Sequence, residues 1–504
     1  MKTKIPLLLL AGLVLMASYA SAATRTFTGE VDNTWENSLN WANDVPPTSA
    51  DRTRFSADAT LSTSVTVAQF WADTGGNVTI ANGGYLTTGT GNPSMDFRNG
   101  SSLTIEDGGT VESLRRLRWL DFPVGSGAQT LAVNAGGTLL ATLGEFSGGT
   151  LQIAGDATFS DTLRTGGTSF APSISVLDLQ PGGTLNVTGL MQWDGASAIS
   201  VGAGSTLNFG GSGTHVFTDG VVTAAGGVVK ASGSGTQTLG DVISGDGSFE
   251  QSGAGTTTLT GANTYTGGTT LNDGTITVAN ASALGTGTLT LNGGTLDIGV
   301  VLANDIIASG TTTMVNQVQG NFALTGSITG AGTLNFGGSD SASGFYNISG
   351  TDLSSFTGTI SHNNVNGTHQ LIMGQNGTVN AAQASLETTG STTAGNYIRL
   401  FSNTTFGELS GTGGRIIGRN TLTINQSNDT TYAGRMSSIQ AGLSFTKAGS
   451  GSLTLTGAND YTGTTTINNG TLIIDGNQSL ATGAMTINVS GTLGGSGTIG
   501  ASLL

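Results

Sequence analysis

The chain has 504 residues, a net charge of −15, no cysteine, 83 glycines and only 9% charged residues. The missing cysteines exclude disulfides, thiolate metal sites and a lipid-bearing N-terminal cysteine. The acidic balance argues against nucleic acid or anionic lipid as a partner, and so polar and glycine-rich a chain would read as disordered if no period organised it.

Residues 1–22 carry Lys2 and Lys4, an apolar run from Leu7 to Ala17, and small residues at Ala20-Ser21-Ala22. That order predicts a secretory signal peptide cleaved before Ala23. The run is too short to span a bilayer, and no later segment approaches the ~20 apolar residues a membrane helix needs. Cleavage takes two lysines and no acid, which moves the net charge from −15 to −17. Residues 23–74 concentrate Trp35, Trp41, Pro46, Pro47 and Phe55. They are read as a Trp-rich N-terminal cap and lead-in that covers the apolar end of a repeat array, with a sugar-stacking aromatic patch as the alternative.

From about residue 75, short alternating runs such as Asn77-Val-Thr-Ile80, Ser102-Leu-Thr-Ile105 and Thr206-Leu-Asn-Phe209 are separated by glycine-rich turns. Period-two alternation of this kind marks half-buried strands. Gly-Gly pairs followed by Thr-Leu or a close variant recur at intervals near 25 residues, which suggests one coil of a solenoid. A single coil cannot bury its inward Leu, Val, Ile and Phe, whereas stacked coils share a continuous narrow core. All seven prolines lie at or before Pro181, so the rest of the chain is free of the residue that interrupts a strand ladder. At ~24 residues per coil and ~4.8 Å between strands, some 18 coils would form a rod of roughly 90 Å. The fold expected is all-β, a parallel β-helix, with divergent repeats over 75–250 and clearer ones over 251–504.

Two segments carry the most specific pattern. Residues 253–278 read GAGTTTLTGANTYTGGTTLNDGTITV and residues 449–474 read GSGSLTLTGANDYTGTTTINNGTLII, aligned without a gap. Leu259, Gly261, Asn263, Tyr265, Gly267 and Gly274 match Leu455, Gly457, Asn459, Tyr461, Gly463 and Gly470. This pattern resembles the autotransporter-associated beta-strand repeat family, with weaker echoes at Phe356-Thr-Gly-Thr359 and Tyr432-Ala-Gly434. The resemblance implies a right-handed parallel β-helix (β-solenoid), export, and a passenger or envelope role at the surface of a Gram-negative-type bacterium. A complete autotransporter would continue into a membrane barrel, which is not encoded here, and the chain reads as truncated after Leu504.

Sites for chemistry are sparse. His215, His362 and His369 fit no common zinc spacing; all three are expected at the surface, with His362 and His369 on opposite faces of one strand. Asp241, Asp246 and Glu250 are the candidate carboxylates for a polysaccharide-degrading β-helix, but their spacing alternates between turns and strands. Arg115, Arg116 and Arg118 beside Trp119 could contact an acidic glycan, although a solvated edge balanced by Glu112 and Asp121 is the favoured reading. Asn263, Asn459, Tyr265 and Tyr461 read as turn and packing residues. No catalytic, cofactor-binding or metal-binding residue is therefore assigned, and no cofactor is expected. The function expected is a secreted or cell-surface structural, adhesive solenoid, with a polysaccharide-binding or polysaccharide-degrading enzyme as the alternative. Surface glycans or envelope components are the expected partners.

Overall fold

Alternation dictates the strands. In Asn77–Ile80, Val78 and Ile80 point inward while Asn77 and Thr79 face out, and Ser102–Ile105 and Thr130–Val133 repeat the arrangement. The computed structural model describes residues 23–29, 34–55, 57–72, 75–91, 93–98, 100–120, 129–165, 175–193, 198–317, 322–338, 344–364, 369–390, 396–440 and 442–504. The expected signal peptide lies outside the described residues.

Every pairing between the described strands is parallel, each strand lying on its counterpart one coil earlier and one coil later. Val78, Leu103, Leu131, Leu151 and Leu177 thereby form one inward column, and Ile80, Ile105, Val133, Ile153 and Leu179 form the next. All ten are buried in a single core cluster that runs the length of the ladder. Each such side chain contributes about 1.5–3 kcal/mol when fully buried, and it reaches that burial only because a neighbouring coil covers it. The all-β solenoid expected from the sequence is the fold found. Its period is less regular: the register advances 17 residues from Arg52 to Gln69 and 28 from Arg164 to Gln192.

Among the described residues a 19-stranded sheet runs from Thr24–Phe27 to Ile328–Gly330. A nine-stranded sheet accompanies its first half, a 16-stranded sheet begins at Gly213–His215, and a seven-stranded one closes the later coils between Val301–Leu302 and Arg435–Ser438. The helical content of the described residues is two short 3-10 turns, Ser38–Asn40 and Ala42–Asp44.

Both turns belong to the Trp-rich start. Strand Thr24–Phe27 pairs parallel with Arg52–Phe55, and Phe27, Trp35, Trp41 and Phe55 are buried together. Trp41 meets Phe27 and Trp35 edge-on, with ring centroids 5.2 and 4.7 Å apart, and its indole N–H donates to the Trp35 carbonyl at 2.9 Å. With their faces inside the core, Trp35 and Trp41 are not a sugar-stacking surface.

Candidate functional site: an arginine ladder on the N-terminal coils

Strand alternation also lines up the polar side chains. Along the 19-stranded sheet the register runs Arg54, Trp71, Asp96, Arg118, Glu145 and Arg164, one residue per successive coil. The alternate positions point inward, and there Phe97, Trp119 and Phe146 stack with centroids 4.2 and 6.3 Å apart. A rigid aromatic spine thus underlies the outward line.

The two carboxylates of that line are each shared by two guanidinium groups. Asp96 is fully buried and accepts hydrogen bonds from Arg98 and Arg118, both at 2.5 Å. Glu145 is nearly as buried; it is paired with Arg164 and lies 3.3 Å from Arg116. In each case the acid sits underneath and the arginines remain partly exposed. One coil before Asp96, the half-buried Trp71 has Arg52 and Arg98 at 5.6 and 6.0 Å from its ring centre. Arg25 pairs with Asp51 at 3.6 Å. Burial opposes the charge on Asp51, but hydrogen bonds from Thr48 and the neighbouring Arg25 outweigh it and hold the carboxyl below its ordinary range.

The sequence singled out part of this ladder and misplaced its partners. Arg116 and Arg118 are balanced by Glu145 and Asp96 from adjacent coils, not by Glu112, which instead accepts the Tyr85 hydroxyl at 2.9 Å. Asp121 lies outside the described residues. Trp119 is wholly inside, so the half-exposed aromatic is Trp71, and Arg52, Arg98 and Arg164 complete the group. The signal that could have found them is coil periodicity: residues about 20–28 apart share a column.

The expectation of surface histidines is overturned, since His215, His362 and His369 are all buried. Neutral imidazole packs like a small aromatic ring. The His215 ring lies 4.7 Å from Phe209 and its Nδ1 accepts the Met191 N–H, while His369 stacks on Tyr346 at 5.5 Å. His362 and His369 belong to separate strands, Thr359–Asn364 and His369–Met373. Burial, reinforced by His369, pushes the His362 pKa down to about 4. Among the described residues no three His, Asp or Glu side chains converge where a metal ion could be held.

The candidate carboxylates are not brought together in one hydrogen-bonded group. Asp241 accepts the Phe217 N–H at 2.8 Å, Asp246 accepts the Thr266 hydroxyl at 3.1 Å, and Glu250 pairs with Lys230 at 3.0 Å. Each ties its own coil to a neighbour.

The repeat residues do the same from within. Asn263 Oδ1 accepts the Ile243 N–H at 2.8 Å from the preceding coil, and its Nδ2 donates to the Ala283 carbonyl at 2.6 Å in the following one. Tyr265 and Tyr461 place buried hydroxyls 2.5 and 2.7 Å from those of Thr269 and Thr465. In the second copy Asn459 accepts the Met436 N–H at 2.6 Å, but its buried Nδ2 has no partner. Beside it a groove of about 340 Å3 opens, bordered by Arg435, Asp460, Asn477 and Leu480.

A parallel ladder with inward-bonded Asn and Tyr repeats defines a β-solenoid. In agreement, the family model for the passenger-associated-transport-repeat matches residues 249–278 and 445–474, so both segments are autotransporter-associated repeats. Over 85 residues the chain is 45% identical to the BmaC autotransporter adhesin of Brucella suis biovar 1 (strain 1330). That match covers 17% of this chain and 2% of the adhesin, so the chain spans only a small part of that relative's length. Passenger repeats of this kind belong to proteins secreted or displayed at the surface of Gram-negative bacteria. No helix among the described residues is long and apolar enough to cross a membrane.

Proposed function

We propose that the chain is a passenger-like, surface-displayed adhesive solenoid that presents long polar faces and performs no catalysis. The observation that carries this reading is the placement of two passenger repeats, 249–278 and 445–474, within one continuous parallel ladder. The adhesin relative supports the adhesive part, and the separate engagement of Asp241, Asp246 and Glu250 supports the non-catalytic part. In this proposal residues 1–22 export the chain, 23–74 close its start, and 75–250 and 251–504 form the displayed faces. Surface glycans or envelope components are its partners.

The test is attachment. Residues 23–504, coupled to beads, should bind to host-cell or bacterial surfaces more than beads bearing an unrelated β-solenoid do, and a glycan panel should show retention without turnover. Absence of attachment would overturn the adhesive reading, and release of shortened glycans would overturn the non-catalytic one.

A further inference from the structure

Eight of the twelve arginines, Arg25, Arg52, Arg54, Arg98, Arg115, Arg116, Arg118 and Arg164, fall before residue 165, and the next is Arg399. In a chain of net charge −15 that concentration needs a physical account. The fold supplies one by setting Arg54, Arg118 and Arg164 along a single line of the 19-stranded sheet, with Arg52, Arg98 and Arg116 two residues to either side of it on the same strands.

We infer that this arginine ladder is a binding face for a linear polysaccharide bearing carboxylate or sulfate groups, laid along the direction in which the coils stack. The inference rests on the adhesive reading and names the partner chemistry for one face of it.

Charge comes first. Two arginines share each buried carboxylate, Arg98 and Arg118 on Asp96, and Arg116 and Arg164 on Glu145, so each group keeps one surplus positive charge. The carboxylates lie beneath the surface and the guanidinium groups above them, so an approaching ligand meets the positive ends. The exposed Arg115 adds another cation, which donates to the uncharged Thr90 carbonyl at 3.3 Å. Acids on other faces are attenuated by salt beyond a Debye length of about 8–10 Å.

Rigidity is the second argument. Guanidinium groups clamped on buried carboxylates, or held against Trp71 as Arg52 and Arg98 are, have already lost much of their rotamer freedom. A bound anion then costs little further ordering, and the planar forks remain able to offer paired N–H donors to carboxylate or sulfate oxygens.

Shape selects the class of ligand. Arg54 to Arg164 spans six coils, roughly 24 Å at ~4.8 Å per step, as a central file flanked by Arg52 and Arg116 on one side and Arg98 on the other, a strip three outward columns wide. A membrane surface or a nucleic-acid duplex would require a broad cationic face, and the rest of this acidic surface would repel either. A single extended anionic glycan chain needs only the file.

The experiment uses residues 23–504 with three probes of matched length: a heparin fragment, oligogalacturonate and neutral dextran. Binding of either anionic probe, loss of that binding as salt rises, and no binding of dextran are expected. The two anionic arms distinguish sulfate from carboxylate as the preferred group. Two variants remove one surplus charge each without stranding a buried acid: Arg98→Gln/Arg118→Gln/Asp96→Asn and Arg116→Gln/Arg164→Gln/Glu145→Gln. Each should weaken binding at least tenfold with unchanged circular dichroism, whereas Lys230→Gln/Glu250→Gln should leave it intact. If either triple variant fails to fold, Arg115→Gln, exposed and off the buried acids, should still give a several-fold loss. No binding of either anionic probe, binding indifferent to the stripe variants, or equal capture of duplex DNA or anionic vesicles would overturn the inference. Anionic glycan binding without cell attachment would sink the adhesive reading alone; attachment that survives the stripe variants without anionic glycan binding would sink this inference alone.

Discussion

The first and second repeats align without a gap from Gly253 and Gly449 through Leu291 and Ile487, yet they close differently. After the first, Leu284 is fully buried and Gly285 turns with φ +64° beneath the Tyr265 ring. After the second, the equivalent Leu480 is 65% exposed, Gln478 is buried instead, and its Nε2 donates to the Gly457 carbonyl at 2.9 Å. The residue aligned with Gly285 is Ala481. A Cβ at Gly285 would stand 2.5 Å from the Tyr265 carbonyl oxygen and 2.7 Å from its ring, so alanine cannot follow that path. In the second copy the turn runs differently: a leucine faces outward, Asn459 Nδ2 has no acceptor and a groove opens beside it, in a segment where 475–480 also differ from 279–284 at five of six positions. The repeats teach that a matching pattern conserves strands and columns but not the surface between them.

Several measurements would break or sharpen this contrast. Because coils can open locally, native-state hydrogen exchange is the proper readout for each of them. The largest effect belongs to Tyr265→Ala, which deletes a fully buried ring and should cost about 3–5 kcal/mol locally. Tyr461→Ala, with Leu480 turned out, should cost less; equal losses would show that the turn adds nothing to the packing of the ring.

Acid should separate the coils between the repeats from the repeats themselves, which contain no histidine. His362 has a folded-state pKa of about 4 against ~6.5 when unfolded, so the unfolded chain binds more protons between these values. The stability contributed by keeping it neutral is complete above pH 6.5 and is lost as pH falls to 4, on the order of 3 kcal/mol. Amides near Thr359–Asn364 should lose protection over that window while those of the repeats do not, and His362→Phe should flatten the profile.

Gly285→Ala should cost roughly 1–2 kcal/mol from the left-handed backbone alone, with the contacts on Tyr265 adding to it. It should also turn Leu284 outward, visible in a crystal structure; a buried Leu284 in that variant would refute the account of the second turn. Asn263→Ala removes bonds to two coils and should cost about 1–3 kcal/mol, whereas Asn459→Ala removes one bond and relieves an unpaired Nδ2, so its cost should be smaller.

The smallest effect is expected where the repeats already exchange residues. Gln251 donates to the Gly253 carbonyl at 2.8 Å, and at the aligned position the buried Lys447 donates to the carbonyls of Ala448 and Gly449 at 2.8 and 2.9 Å. Burial lowers the Lys447 pKa, so Lys447→Gln should change local stability by less than about 0.5 kcal/mol, while Lys447→Met strands the carbonyls and costs about 1–3.

Strand positions were legible because the period-two pattern in runs such as Ser102-Leu-Thr-Ile105 depends on a local chain property. Parallel stacking followed from the repeats. Legibility stopped where the partner sits a coil away. Nothing local to Arg118 announces Asp96, 22 residues earlier, and nothing local to His362 announces the burial of its strand. Nothing local marks the half-exposed Trp71 either, because its neighbours Arg52 and Arg98 reach it through the stacking of coils. The opposite turns of Leu284 and Leu480 go with left-handed backbone at Gly285 that the aligned Ala481 does not adopt, a difference of conformation that strand alternation does not carry.

Since each strand pairs only with the coils immediately before and after it, the chain behaves as a graduated ruler whose unit is one whole coil. An insertion or deletion of a single residue would swap inside for outside along a strand, whereas gain or loss of a complete coil would leave every remaining column in phase. Reach can therefore change across generations without disturbing what each remaining segment displays.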